Sequence, residues 1–215
     1  MKRSKGGMNW RRAVHGLIGL ILLAGAVVAV GLVLLFYQGE PPASRETLAP
    51  AQVQAAEQKV RSLEEAGERI AEAVKAHRPT PFTLRVRDAE LNTYFAAHPE
   101  AVRALNPDLR WAEFEFGTGG TVSFRGVGTY QGREVLLRLK GEVRLDPNQG
   151  PSFTLQEGHL GALPLPAGLR RKLAAEINRS LSQELKKLPP QVRIESLAVE
   201  SGELTLQGRV TAGEG

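Results

Sequence analysis

The chain has 215 residues, 28 Lys and Arg against 23 Asp and Glu, a formal net charge of +5 and no cysteine. Without cysteine there is no disulfide, no thiolate metal site and no thiol nucleophile. The excess charge is not a nucleic-acid signature. Five of the basic residues precede residue 13 and none lies in 13–37, so residues 38–215 carry 23 charges of each sign, with no basic stripe beyond Arg170-Arg171-Lys172 and Lys186-Lys187.

Residues 1–12 form a basic tail with Lys2, Arg3, Lys5, Arg11 and Arg12 and no acidic residue. Ala13 to Tyr37 follow as 25 residues without a single charge. As a helix rising about 1.5 Å per residue they reach roughly 37 Å, enough to cross a hydrocarbon core of about 30 Å. The run is longer than the apolar stretch of a cleaved signal peptide. The Gln38-Gly39-Glu40-Pro41-Pro42 that follows is a poor cleavage context. The expectation is an uncleaved single-pass transmembrane helix in the cytoplasmic (inner) membrane. Basic residues stay on the cytoplasmic side, which places the C-terminal domain in the periplasmic or extracellular space. Gly25 and Ala29 have the small-xxx-small spacing that lets two spans approach.

Residues 38–50, with Pro41, Pro42 and Pro50, read as a linker. Residues 51–77 read as an amphipathic helix whose stripe is Val53, Ala56, Val60, Leu63, Gly67, Ile70 and Val74. That stripe suits packing on the chain's own domain, and it also suits an intermolecular coiled coil. Residues 78–215 are then the exported domain. Phe82 to Val86 alternate as a strand, and Asp88 is placed to cap a short helix over Ala89 to Ala97. Pro99 and Pro107 bracket a further turn or two of helix. The period then changes to two, with Ala112, Phe114 and Phe116 facing one way and Glu113 and Glu115 the other. Val122 to Tyr130 continue the alternation across glycines that suggest a bend. The clearest alternation is Val135, Leu137, Leu139, Gly141, Val143 and Leu145 against Arg138, Lys140, Glu142 and Arg144, the mark of an antiparallel sheet with one wet face.

Ser152 to Glu157 predict another strand. A second long helix opens at Pro166 and carries Leu169, Leu173, Ile177, Leu181, Leu185 and Leu188 on one side, until Pro189-Pro190 stops it. A hairpin, Val192–Val199 and Glu203–Val210, turns at Ser201-Gly202. The fold class is α+β: a curved, mainly antiparallel sheet packed with long amphipathic helices.

Three local patterns carry a resemblance. They are the strand and "acidic-Leu-Asn-x-aromatic" run Thr83 to Tyr94, Gly161-Ala162-Leu163-Pro164-Leu165-Pro166 opening the Leu-rich helix, and the terminal hairpin Ile194 to Leu206. Together, over about residues 80–210, they resemble small bacterial envelope proteins of unknown function with a signal anchor and one exported domain. Some such proteins look like members of the tubular lipid-binding superfamily, in which a long helix wraps in a curved sheet and leaves an apolar groove. The resemblance transfers no catalytic residue. It implies a lipid or other apolar ligand. With the apolar sheet face and the Leu-rich helix it makes Leu137, Leu139, Val143, Phe153, Leu155, Leu173, Ile177 and Leu181 the candidate groove lining. The same residues fill a dry core equally well.

Catalytic signatures are missing from the sequence. His15, His77, His98 and His159 show no i, i+4 pair and no HExxH, and there is no P-loop, Gly-x-Ser-x-Gly or dinucleotide fingerprint. Ser182 and Lys186 lie four apart on one helix, and Glu113 and Glu115 share a strand face. Both are ordinary polar surface patterns. The expected function is a membrane-anchored, extracytoplasmic, non-enzymatic module with no cofactor and no metal, binding lipid or another apolar ligand. The alternative is an envelope scaffold acting on a protein partner through the 51–77 helix or a sheet edge.

Overall fold

The structure is a computed structural model and describes residues 48–130, 133–146 and 150–212. The expected tail, the span 13–37 and the linker as far as residue 47 lie outside the described residues. Among the described residues no helix is long and apolar enough to cross a membrane.

The first element, α1 (Pro50–Lys75), begins with proline in its first turn, where the missing N–H is not needed. The Gln52 side chain accepts a hydrogen bond from the Ala49 N–H at 3.1 Å. The helix ends two residues earlier than the sequence pattern predicts. His77 adopts φ 50°, and the Arg78 N–H donates to the Ala73 carbonyl at 2.9 Å, closing the last turn. Ala56, Leu63, Gly67, Ile70, Ala71, Ala73 and Val74 are buried, while Val53 and Val60 are half-buried. Their partners belong to the same chain: α1 packs on β1 (Thr80–Arg87), on α2 (Asp88–Ala97) and on β8 (Glu203–Val210). Leu63, Ile70, Ala73 and Val74 join one core with the rest of the molecule. The apolar face is thus occupied within the chain, where the coiled-coil reading needs it free.

A polar junction adds to this docking. His98 lies between α2 and α3 (Pro99–Leu105). Its Nε2 is 3.1 Å from Glu57 Oε1 of α1 and its Nδ1 is 3.0 Å from Glu100 Oε1. Its ring lies 4.6 Å from that of Tyr94, tilted by 36°. Burial, reinforced by Glu64, Glu100 and Glu57, pushes the Tyr94 hydroxyl above its ordinary range, so it stays a neutral phenol.

The strands form two antiparallel sheets. One is three-stranded, in the order β1-β8-β7, with β7 at Val192–Glu200. The other is five-stranded: β2 (Leu109–Phe116), β3 (Thr121–Tyr130), β4 (Arg133–Asp146), β5 (Gly150–Leu160) and β6 (Leu163–Pro164), paired in that order. Pro81 is tolerated in β1 because, among the described residues, that strand pairs only with β8 and lies at the sheet edge. The terminal hairpin is as predicted. Its pairing to β1, some 120 residues earlier, is not a signal that local alternation carries.

The strand β5 runs longer than predicted. A bulge between Lys140 and Gly141 lets the β4–β5 ladder continue as far as Leu137 and Leu160. Gly141 sits there under the Phe153 ring: a Cβ would lie 2.3 Å from Phe153 Cζ. The β2–β3 turn docks the two sheets together. Gly120, at φ 84°, donates to the Val199 carbonyl at 3.1 Å and accepts from the Val143 N–H at 2.8 Å.

Asp88 does more than begin α2. Its carboxylate accepts from the Phe116 N–H at 3.1 Å, and its own N–H donates to the Gly202 carbonyl at 3.0 Å. It ties β1, the end of β2 and the β7–β8 turn into one corner. The return bond at the helix start comes from Glu90, whose carboxylate accepts from the Arg87 N–H at 2.9 Å.

Candidate functional site

The site is organised by α4 (Ala167–Lys186) lying along β5. Pro166 stands just outside the helix, as its N-cap, and its carbonyl accepts the Arg170 N–H at 3.0 Å. Leu173, Ile177 and Leu181, each four residues on, form the inner stripe. They are among the most completely enclosed side chains, at 1%, 0% and 1% exposure. Leu169 and Leu185 extend the stripe at either end and are half-buried. Pro189 and Pro190 follow the last turn.

One asparagine fastens this helix to the sheet. β6 pairs only with His159 and Leu160 of β5, which leaves the middle of the β5 edge without a strand. Asn178 takes that place. Its Oδ1 accepts from the Phe153 N–H at 2.7 Å and its Nδ2 donates to the Phe153 carbonyl at 2.9 Å. The side-chain amide acts as one residue of a missing strand. The same device recurs at the opposite margin of the sheet. Asn92 of α2 accepts from the Phe114 N–H at 2.8 Å and donates to the Phe114 carbonyl at 2.7 Å. Sequence reading missed both roles. The available signal is compositional: asparagine is a poor helix former, so one beside buried Ile177 or Leu91 implies a specific bond.

The structure brings all eight candidate groove residues together. Leu137, Leu139, Val143 and Phe153 belong with Leu173, Ile177 and Leu181 to one core cluster, and Leu155 packs against it half-buried. The seam between α4 and the sheet is closed along its middle and opens at both ends. At the N-terminal end of α4 lies an open pocket of about 320 Å³ with Phe153, Leu155, Ala167 and Ala174 as its apolar lining and Arg170 and Arg171 beside them. At the C-terminal end a second pocket, of about 240 Å³, lies among Leu145, Leu185, Leu188, Val192 and Ile194, with Asp146 at its side. Leu145, expected on the buried face of β4, is half-buried because it borders this opening.

The first pocket is cationic. Arg170 Nη1 donates to the Gln156 carbonyl at 2.8 Å, and its Nε is buried with no hydrogen-bond partner. Arg171 and Lys172 have no ion-pair partner among the described residues. The next acid along the helix, Glu176, is taken by Arg179.

The polar pairs weighed in the sequence have ordinary settings. Glu113 pairs with Arg125 across β2 and β3 at 2.9 Å, and Ser182 and Lys186 are exposed. Among the described residues no cluster of His, Asp and Glu is arranged to hold a metal ion.

A family model described as LmeA-like phospholipid-binding matches residues 77–209. The match covers both sheets, α4 and both pockets, and begins just after α1. No curated protein and no solved structure gives a significant match.

Proposed function

The chain belongs to the LmeA-like phospholipid-binding family, and on that premise we propose that it is a non-enzymatic phospholipid-binding module held at the cytoplasmic membrane. The observation that carries the reading is a family match spanning a fold in which one long helix lies against an apolar sheet face and leaves openings at both ends. Acyl chains enter between α4 and β5, and Leu137, Leu139, Val143, Phe153, Leu155, Leu173, Ile177 and Leu181 line their path. Entry requires α4 to part from β5, because Leu173, Ile177 and Leu181 are enclosed in the same core as the sheet residues. A helix alongside an antiparallel sheet with an apolar interior also supports kinship with the tubular lipid-binding superfamily.

The anchor is the 13–37 run, with the basic tail inside and the domain outside. An enzymatic reporter active only outside the cytoplasm, fused after Gly215, is expected to be active. Activity confined to a cytoplasmic reporter at the same position would reverse the topology.

The binding reading is tested on the full chain purified in a non-phospholipid detergent. Native mass spectrometry is expected to show phospholipid retained in stoichiometric amount, and a fluorescent phospholipid is expected to exchange into the protein. A protein that carries no phospholipid and takes up none from mixed micelles would end the proposal.

A further inference from the structure

We propose that the pocket at the N-terminal end of α4 is a phosphate-ester subsite, in which Arg170 and Arg171 hold the headgroup phosphate of the lipid while Phe153, Leu155 and Ala174 take the first carbons of its chains. The assignment rests on the phospholipid-binding reading and adds a location and an orientation to it.

Three observations converge on this pocket. The first is an unmet donor. Arg170 is anchored through Nη1 to the Gln156 carbonyl, yet its Nε is buried without a partner. A buried donor left unpaired is costly, and on a guanidinium more so. Two donors of one guanidinium edge match two oxygens of a phosphate, so an oxyanion that draws the Arg170 guanidinium round into the pocket would pair the Nε that the protein covers and leaves unmet. The second is charge. Residues 38–215 are formally neutral, and eight arginines of the described domain pair with a carboxylate, among them Arg61, Arg125, Arg179 and Arg209. Arg171 and Lys172 do not, and no acidic residue lines this pocket. The third is amphipathy in the order a lipid requires. The cations sit beside Phe153 and Leu155, and Phe153 also belongs to the core against which α4 closes. The opening at the other end of α4 has no Arg or Lys among its lining residues, which include Leu185, Leu188, Val192 and Ile194. The two ends of the seam thus differ in charge, and the phosphate belongs at the α4 N-terminal end.

The test uses the full chain in detergent micelles containing photoactivatable phosphatidic acid or a diacylglycerol with identical chains. Crosslinks are mapped to peptides and the melting temperature is followed throughout. Phosphatidic acid is expected to label β5 and α4 with roughly tenfold or more the apparent affinity of diacylglycerol, the factor that one charge-assisted bidentate contact supplies. The Arg170→Gln, Arg171→Gln double variant is expected to bring phosphatidic acid down to the diacylglycerol level. Because Arg170 also bonds to β5, Arg171→Gln alone is the control for folding. Its side chain is exposed, so it is expected to weaken phosphatidic acid severalfold with no change in melting temperature.

Equal labelling by both lipids in the unaltered chain, unaffected by the variants, would overturn the subsite and leave the acyl-chain reading standing. Labelling by neither lipid would overturn the binding reading itself. Displacement of phosphatidic acid by millimolar inorganic phosphate would show a free-phosphate site in place of a headgroup site. Arginine variants that weaken binding to anionic vesicles without changing the ratio of the two lipids would show surface attraction only, and would likewise overturn the proposal.

Discussion

Asn178→Ala is expected to destabilise the domain by about 2 kcal/mol and to speed phospholipid exchange severalfold. The substitution leaves the Phe153 N–H and carbonyl unpaired beneath a helix, and each orphaned group costs on the order of 1–3 kcal/mol, discounted here because water can reach a half-buried edge. For a domain of this size that is a fall of about 4–8 °C in melting temperature. The kinetic effect separates this bond from an ordinary one. If α4 must leave β5 for a lipid to enter, loosening its clasp at Phe153 lowers the barrier to opening. Asn92→Ala removes the equivalent bond at the other margin and is expected to cost similar stability without accelerating exchange, since α2 does not border the seam. Thermal unfolding together with fluorescent-lipid exchange reads both. Equal exchange rates in the two variants would separate lipid entry from α4 movement.

Ile70→Asp is expected to be the more damaging change, by about 4 kcal/mol or more, enough to leave much of the protein unfolded at physiological temperature. Ile70 is 5% exposed and packs into the common core, so the substitution both removes a large apolar side chain and buries a carboxylate in an apolar cluster. Val60→Asp, on the half-buried part of the same stripe, is expected to cost about 1 kcal/mol. Circular dichroism melts of the two variants rank them. If both leave the melting temperature unchanged, α1 is not part of the folded unit in solution and its apolar face is free for a partner, as the scaffold alternative requires.

The two predictions also mark how far the sequence could be read. Periodicity found α1, and it found the face bearing Leu63, Ile70 and Val74, because the burial of a helix face is written in its own residues. It could not say what covers that face, since a stripe of this kind looks the same against a neighbouring strand or another chain. The β4 alternation was legible for the same reason: Leu137, Leu139 and Val143 are buried while Arg138, Lys140 and Arg144 are exposed. All eight groove candidates were found as apolar residues of β4, β5 and α4, but their mutual contact depends on α4 folding back onto β5. The division of strands into two sheets, and the β1–β8 pairing across nearly the whole domain, are non-local and leave no periodic trace. The asparagine bonds were illegible in a further way. A single polar residue next to a hydrophobic stripe gives no hint of which distant backbone it will meet. In the sequence Arg170 and Arg171 are part of a short basic run, and only the placement of Phe153 and Leu155 beside them makes a pocket of it.

The two clasped phenylalanines have a consequence for how copies of this protein meet. An outer strand with unpaired amides is a template on which another chain can extend the sheet, the usual origin of aggregation in β-rich proteins. Here β2 is occupied at Phe114 and β5 at Phe153 by amide groups that belong to helices, and a helix cannot propagate a ladder. An incoming strand would have to evict an asparagine before forming its first bond at either position. The same two side chains that hold the helices in place therefore also act as stoppers against fibrillar growth. A domain whose α4 has swung out to admit a lipid would lose one of them, so the open state is the one in which self-association becomes a hazard.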